Sequence, residues 1–422
     1  MKIIINKREI VCIPTALLFV FFANQGGIST AFFSDRNIKY LLAVVFVLLV
    51  GIIVFKNRKY EKSITLPIFI YAFLMCFVSL NNPGWGASDS VVYIGAVFFV
   101  VVATYIPQIH RYILNFLFAA YIFYAISTII ISLIPSLYLP YVWELFPDTR
   151  EMLLRSFRNG YISGFTNHYS TNGVFLASGF IIASIRYYEK KKKLEFALIV
   201  IMLVALLLTG KRAHLLFSIA ALLGMFYLST ARQNVINRFF KTIAAISICV
   251  VIMLVVANYV PELAVVFERF RSFMEGNDAA VNARYGLWGA SLVTFKRNPL
   301  IGIGWEQFQE TVSAHLGYSR TYAVHNVYLQ LLCESGIIGF AIYISWFIYS
   351  LRNAVQVYVE LVKRGEYGKE RMYIAYSASY QIFFLLYCLT GNPLYDKMTN
   401  LPYFFACGLG FYYKRKTMKI CQ

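Results

Sequence analysis

Long uncharged apolar segments constrain the fold of this chain more than any other feature of its sequence. Residues 41–55 and 243–257 contain no charged side chain over nearly the thickness of a bilayer. In the whole chain 59% of residues are hydrophobic and 14% are charged, whereas a soluble domain carries about 25% charged residues. Because lipid-exposed backbone must satisfy its own hydrogen bonds, these segments are predicted to be helices. The sequence therefore predicts an all-α polytopic integral membrane protein.

Apolar segments recur along the whole chain, and most of the connections between them are short. They predict about twelve transmembrane helices, at residues 9–23, 38–55, 64–80, 90–106, 112–134, 171–187, 194–209, 213–230, 242–258, 326–350, 372–390 and 400–413. Two connections are longer than the others, at residues 135–170 and 259–324. The chain is thereby divided into residues 1–258, which include the smaller outer loop, one large outer loop at residues 259–324, and residues 325–422.

The distribution of Lys and Arg predicts the orientation of the helices. Every second connection, counted from the N-terminus, carries at least one basic side chain, and together these connections hold most of the 39 basic residues. Both termini are therefore expected in the cytoplasm. The net charge of +19 follows mostly from this asymmetry and from attraction to anionic membrane lipids, so nucleic-acid binding is disfavoured.

The sequence disfavours several classes of enzyme and site. None of the 7 cysteines lies in a predicted outer loop, and no Cys or His spacing is typical of a zinc site. The aspartates form no D-x-D pair, and no phosphate-binding P-loop, GxSxG elbow or HExxH motif occurs. A reaction catalysed here is therefore expected to use an already activated substrate rather than energy from nucleotide hydrolysis.

A basic turn with the sequence TGKRAH, residues 209–214, connects two strongly apolar segments on the predicted outer face. Positive charge there opposes the orientation rule, and ionisable groups at membrane depth are costly and tend to be functional. The guanidinium of Arg212 is suited to a bidentate grip on phosphate oxygens, and Lys211 adds a second charge. The alternative is that these side chains only anchor a helix end at the bilayer surface.

The large outer loop contributes a second candidate motif, NARYGLW, which contains Arg284 and Trp288. Arg284 is a candidate phosphate ligand, with an ordinary loop salt bridge as the alternative. Trp288 is a candidate platform for a sugar or a packing anchor. The charges of this loop nearly balance, so particular side chains must attract an anion. Arg297, Arg320 and Glu306 complete the predicted substrate-binding set.

His325 and Asn326 stand where the large outer loop meets an apolar segment. A histidine can remove a proton near neutral pH, which suits the activation of a sugar hydroxyl. Asn326 is expected either to orient the imidazole or to cap the following helix, and Gly336 and Gly339 permit close helix approach or a local bend. The alternative to a catalytic role is a structural one, in which Asn326 caps the helix and the two glycines form a helix interface. The other histidines lack comparable neighbours in the sequence.

Together these features resemble the O-antigen ligase and polymerase superfamily of bacterial surface-polysaccharide assembly. The pattern His325-Asn326-x9-Gly336-xx-Gly339 is similar to the histidine motif of that family. The segment RYGLWGASLVTFKRNPLIGIG, which begins at Arg284, is similar to the one that precedes that motif. The TGKRAH turn resembles the family's other essential-arginine site. The motifs that carry the resemblance lie in roughly the second half of the chain. The arrangement of predicted helices and loops resembles that of the family over the whole chain.

The resemblance implies a GT-C-like glycosyltransferase of the bacterial cytoplasmic (inner) membrane that needs no metal ion or other cofactor. Its donor would be a glycan linked to a polyprenyl diphosphate such as undecaprenyl diphosphate. Arg212 and Arg284 would hold the diphosphate and stabilise its charge as it leaves. His325 would take the proton from the acceptor hydroxyl, which attacks the anomeric carbon with inversion.

The resemblance leaves two acceptors open. A polymerase of O-antigen or capsular polysaccharide adds the glycan to a second lipid-linked repeat, whereas an O-antigen ligase transfers it to the lipid A core. The smaller outer loop carries Arg150, Arg155 and Arg158, which are suited to a second charged lipid-linked substrate, so a polymerase is favoured. A chain-length regulator is a further implied partner. The alternative from another class is a repeat-unit flippase or transporter, which the concentration of polar motifs at one face disfavours.

Overall fold

The computed structural model describes residues 9–33, 36–57, 87–244, 247, 279–313, 316 and 322–420. Over these residues the regular structure is helical, and no strand occurs among them. The helices are α1 (Glu9–Ala23), α2 (Ile28–Phe32), α3 (Arg36–Asn57), α4 (Ala87–Tyr105), α5 (Gln108–Leu133), α6 (Tyr138–Tyr141), α7 (Arg150–Arg158), α8 (Tyr169–Lys190), α9 (Lys193–Leu208), α10 (Arg212–Ser229), α11 (Ala279–Arg297), α12 (Val327–Arg364), α13 (Lys369–Tyr387) and α14 (Lys397–Ile420).

The predicted spans agree with these helices wherever they fall on described residues. The predicted spans 64–80 and, for the most part, 242–258 lie outside the described residues. Among the helices described, α5, α10 and α12 are long and apolar enough to cross a membrane, and shorter apolar helices lie within α1, α3 and α4. The described part of the chain therefore has the fold expected of an α-helical membrane protein.

Helix α12 extends well beyond residue 350, where the predicted span ends. In its second half, buried residues recur in pairs at helical spacing, namely Asn353 and Ala354, Val357 and Tyr358, and Leu361 and Val362. This amphipathic continuation is not apolar enough to be predicted as a transmembrane segment, but it packs as a helix. The helix ends at Gly365, whose φ of 74° gives the left-handed conformation common at helix C-termini.

Helix α14 lies at the centre of the bundle. Its residues 399–411 are all buried, as expected for a helix that is apolar on every face. The ring of Phe405 contacts those of Phe19 and Phe99, at centroid distances of 5.8 and 6.4 Å. The ring of Tyr403 stacks on Phe384 of α13 at 3.9 Å. Helices from both ends of the chain thus share one core.

The segment at residues 135–170 is folded and attached to the bundle. The rings of Tyr138 and Phe157 stack at a centroid distance of 4.4 Å within a small apolar cluster. The backbone N–H of Ile162 donates to the carbonyl oxygen of Leu208 at 3.1 Å, at the end of α9. Because the cluster also includes Ile131 of α5, the segment covers one end of the bundle.

The described part of the large outer loop contains helix α11 and a short π-helix at Phe308–Val312. Helix α11 runs for 19 residues and packs against α12. It ends at Arg297, shortly before Pro299, because proline disfavours helical backbone at the residue before it. Residues 259–278 lie outside the described part of the chain.

Candidate active site

A cavity of about 780 Å³ lies at one end of the bundle, where α8, α10 and α12 begin and α13 ends. Its polar lining includes His168, Ser170, Lys211, Arg212, His214, Arg284, Glu306, Gln309, His325, Gln330, Asn392, Tyr395 and Asp396. The N-terminus of a helix carries roughly half a positive elementary charge from aligned peptide dipoles. Three such ends meet at this cavity, which is therefore a favourable place for an anion.

Three cationic side chains line the cavity together, namely those of Lys211, Arg212 and Arg284. Lys211 precedes the first residue of α10, and its Nζ lies 4.5 Å from the centroid of the Tyr169 ring. Burial, together with the smaller effects of the charges of Arg284 and Arg212, lowers the pKa of Lys211 to about 8. The three charges therefore repel one another, and a multiply charged anion bound among them would relieve that repulsion.

His325 lines the same cavity, immediately before α12. Burial lowers the pKa of His325 to about 4, and the charges of Arg284 and Lys211 act in the same direction. The imidazole is therefore neutral at neutral pH and has a nitrogen able to accept a proton. The structure thus brings together the three residues predicted to be catalytic, Arg212, Arg284 and His325.

Backbone strain is concentrated at this cavity. Within the described residues, the non-glycine residues with positive φ are Lys191, Glu306 and His325. Two of these three line the cavity, with φ values of 58° for Glu306 and 56° for His325. Non-glycine residues in this region cost of order 1–3 kcal/mol each and persist where surrounding contacts enforce them, as occurs at active sites.

Trp288 positions His325 and does not line the cavity. Its indole Nε1 donates a hydrogen bond to the carbonyl oxygen of Val324 at 3.1 Å, directly before His325 in the chain. The indole also packs beside Leu287 and Phe308 in an apolar cluster between α11 and α12. Of the two roles considered for Trp288, the structure therefore shows the packing anchor.

Asn326 is the N-cap of α12, and it is not among the residues that line the cavity. Its side chain accepts a hydrogen bond from the backbone N–H of Leu329 at 3.2 Å. The next residue, Val327, donates its backbone N–H to the carbonyl oxygen of Cys388 at 2.9 Å, after the end of α13. Both contacts fix the start of α12 and with it the backbone beside His325.

The other residues of the predicted substrate-binding set are distributed unequally. Glu306 and Lys211 line the cavity. Arg297 is exposed at the far end of α11, which places it about 20 Å along the helix from Arg284 at a rise of 1.5 Å per residue. The structure does not bring Arg297 to the cavity. Arg320 lies outside the described residues.

Glu334 connects the large outer loop to α12, and the sequence reading did not single it out. Its fully buried carboxylate accepts hydrogen bonds from the backbone N–H groups of Glu306 and Phe308 at 3.0 and 3.2 Å. It also accepts from the Tyr395 hydroxyl at 2.8 Å and from the Gln330 amide at 3.0 Å. A carboxylate within an apolar span is costly unless paired. The position of Glu334 within the predicted span 326–350 therefore already indicates a buried partner from the sequence alone.

Other residues of the cavity were also not anticipated. His168 and His214 line it beside His325, although neither was a predicted site residue; His214 is the last residue of the TGKRAH turn. The Nδ1 atom of His168 accepts a hydrogen bond from the backbone N–H of Ser170 at 3.0 Å and caps α8. Asp396 precedes α14, and burial raises its pKa to about 6. Only the packing of distant helix ends brings these residues together.

Gly302 and Gly336 allow the backbone of the outer loop to pair with the backbone of α12, because a Cβ at either would overlap the backbone of the other segment. Gly336 interrupts α12 with a φ of 63° and a ψ of −171°, which frees carbonyl groups of the preceding turn. The backbone N–H groups of Ile303 and Gly304 donate to the carbonyls of Cys333 and Glu334 at 3.0 and 2.9 Å. The bend predicted as one role of Gly336 is therefore present. The carbonyl groups beside it bind the backbone of the loop that carries Glu306.

The Gly336→Ala variant is expected to have a clearly lower thermal unfolding midpoint in detergent and to lose its activity. A Cβ at Gly336 would overlap the backbone of Leu300, and the backbone conformation is one that is strained by about 1–3 kcal/mol for other residues. Gly289→Ala is the matched control, because a Cβ there meets no atom within 4 Å. Equal unfolding midpoints for the two variants would contradict the role assigned to Gly336.

Comparison with known proteins supports a function in the same class as the resemblance. Residues 197–344 match the family model described as O-antigen ligase. No curated protein matches the chain significantly. The matched range contains Lys211, Arg212, Arg284, Glu306 and His325 of the cavity. The family acts in O-antigen and lipopolysaccharide synthesis at a bacterial membrane, with lipid-linked glycans as substrates. This match confirms that residues 197–344 resemble the O-antigen ligase and polymerase superfamily.

Proposed function

We propose that the protein is an inverting, metal-independent membrane glycosyltransferase that polymerises polyprenyl-diphosphate-linked repeat units of O-antigen or capsular polysaccharide. The observation that carries the proposal is one cavity whose lining combines three cationic side chains with a neutral imidazole. The cations suit a diphosphate, and the imidazole suits a hydroxyl that must lose its proton. No other described cavity combines these two groups.

The proposed orientation places the cavity on the outer face of the cytoplasmic membrane, with about twelve spans in a GT-C-like arrangement and both termini inside. Its support is the distribution of Lys and Arg in the sequence, since most of them lie in the segments predicted for the end away from the cavity. At the end away from the cavity, Arg186 and Lys190 pair with Glu195 at 3.1 Å, and Arg371 pairs with Glu189 at 2.6 Å. Basic residues collect on the cytoplasmic side of membrane proteins.

In the proposed reaction Arg212, Arg284 and Lys211 bind the diphosphate of the donor. His325 accepts the proton of the acceptor hydroxyl while its oxygen forms a bond to the anomeric carbon. The bond between that carbon and the diphosphate oxygen breaks, and its electron pair leaves with the diphosphate. Cations already in place at the developing charge stabilise the transition state without reorganisation.

The choice of polymerase over ligase rests on the segment at residues 135–170. This segment contributes His168 and Ser170 to the cavity, so it lies where an acceptor would approach. It also carries Arg155 and Arg158 exposed on α7, which suit the phosphate groups of a second lipid-linked substrate. A ligase that transfers the glycan to the lipid A core is the second candidate.

Purified protein reconstituted in vesicles and supplied only with lipid-diphosphate-linked repeat units tests the proposal. The expected product is a ladder of longer glycans still attached to lipid diphosphate, resolved on a gel. Transfer that occurs only after lipid A core is added would instead identify a ligase. Absence of transfer to either acceptor, together with repeat units retained inside null cells, would favour a flippase.

A further inference from the structure

A second cavity, of about 430 Å³, adjoins the first. The two share four residues of their walls, His168, Glu306, Tyr395 and Asp396. None of the three cations of the first cavity lines the second. Its volume falls within the range of about 300–1,000 Å³ that is usual for small-molecule sites. A ligand seated here would therefore lie beside the proposed diphosphate site and outside its positive field.

Two buried amide oxygens in the walls of the second cavity lack a hydrogen-bond partner. They are the Oδ1 atoms of Asn167 and Asn400. The Asn400 side chain is 1% exposed, and its Nδ2 donates to the carbonyl oxygen of Leu394 at 3.0 Å. That bond leaves Oδ1 as the unused acceptor. Buried polar atoms are almost always satisfied, so an unsatisfied pair in one cavity indicates a ligand that donates hydrogen bonds.

The second cavity also has an aromatic wall. The Trp305 ring, 1% exposed, stacks on that of Tyr395 at a centroid distance of 4.3 Å. The hydroxyl of Tyr395 is held by the carboxylate of Glu334 at 2.8 Å, so this wall is rigid. Apolar aromatic surface beside a few fixed polar groups is the usual composition of a site that orients a small ligand.

The charges of the second cavity are mixed rather than cationic. Lys39 and Lys397 line it together with Glu306 and Asp396. Two positive and two negative side chains do not favour a diphosphate, which the first cavity suits far better. Amide oxygens, carboxylates and ammonium groups instead match the hydroxyl groups of a sugar, which both donate and accept hydrogen bonds.

We infer that the second cavity binds a sugar residue of the acceptor glycan, with its hydroxyl groups donating to Asn167 and Asn400. The inference rests on the proposed function and adds a location for the acceptor. The four shared residues place a sugar bound there next to the cavity that His325 lines. Met152 of α7 also lines the second cavity, which gives the segment at residues 135–170 a part in acceptor binding.

Direct binding of a lipid-free oligosaccharide tests this inference separately from catalysis. The probe is the repeat-unit oligosaccharide released by mild acid from the host's own lipid-linked intermediates, observed by saturation-transfer NMR with the full-length protein. Asn167→Leu removes one acceptor atom, and Met152→Trp fills the cavity. Glu151→Trp is the matched control, because Glu151 is exposed on the same helix as Met152.

Asn167→Leu is expected to weaken oligosaccharide binding by about tenfold, the effect of one lost hydrogen bond in a desolvated site. Met152→Trp is expected to weaken it by at least as much, because the indole occupies the space of the sugar. Glu151→Trp binds the oligosaccharide as the wild type does. Equal affinity in all variants overturns the inference even when the wild type makes a glycan ladder. Loss of binding only in the cavity variants supports the acceptor site, and a wild type that binds but transfers nothing would refute the proposed function alone.

Discussion

Replacing His325 with glutamine lowers the rate of glycosyl transfer at saturating donor by about 10²–10⁴-fold, the usual contribution of a positioned general base. Glutamine keeps the size and polarity of the side chain but cannot take up a proton near neutral pH. Binding of the lipid-linked donor, measured with a fluorescent analogue, stays close to that of the wild type. A rate within a few-fold of the wild type would remove His325 from the reaction.

The pH dependence of the wild type provides a second check on His325. In the free protein its pKa is lowered to about 4, so the acidic limb of kcat/KM is expected near that pH. A bound diphosphate adds negative charge beside the imidazole, which favours the protonated form and raises the pKa. The acidic limb of kcat is therefore expected at higher pH than that of kcat/KM. An acidic limb that is unchanged in His325→Gln would argue against a general base.

Arg284→Ala is expected to lower transfer by about 10²–10³-fold, as does loss of one preorganised donor to a developing negative charge. Arg284 would contact the diphosphate in both the bound donor and the transition state. Its loss is therefore expected to raise KM for the donor and to lower kcat. Arg284→Lys restores part of the activity, since lysine keeps the charge and loses the bidentate fork. Both effects are measured as initial rates with reconstituted protein.

Arg297→Ala is the matched control for Arg284. Both arginines lie on α11, and Arg297 is exposed about 20 Å further along the helix. Its loss is expected to leave the rate and the donor KM unchanged. Equal effects of the two substitutions would show that the loop attracts its substrate only by general charge, which would contradict a specific diphosphate contact for Arg284.

Much of the fold and the central site residues could be predicted from the sequence because the physical signals are local. Uncharged apolar stretches of bilayer length identify helices wherever they occur. Arg212 and His325 are ionisable residues at the borders of apolar segments, whereas Arg284 belongs to the NARYGLW motif of the large outer loop. The structure brings these three to one cavity, as the resemblance implied.

Other features depend on contacts between distant residues and could not be predicted. The carboxylate of Glu334 and the hydroxyl of Tyr395 are 61 positions apart in the chain. The hydrogen bond of Trp288 spans 36 positions, so the sequence could not distinguish a sugar platform from an anchor. No residue beside His168 in the sequence indicates a site. Only the contact between α8 and α10 brings His168 near Lys211.

The walls of the two cavities come from nearly the whole length of the chain, from Gln25 to Asn400. Ribosomes add roughly 5–20 residues per second, so the interval between synthesis of His168 and Asp396 is on the order of tens of seconds. For most of that interval the emerging polypeptide has the cationic turn at Lys211 but no complete site. Both cavities are therefore complete only after the start of α14 has been made, and the proposed transfer is expected to require the chain at least to that point.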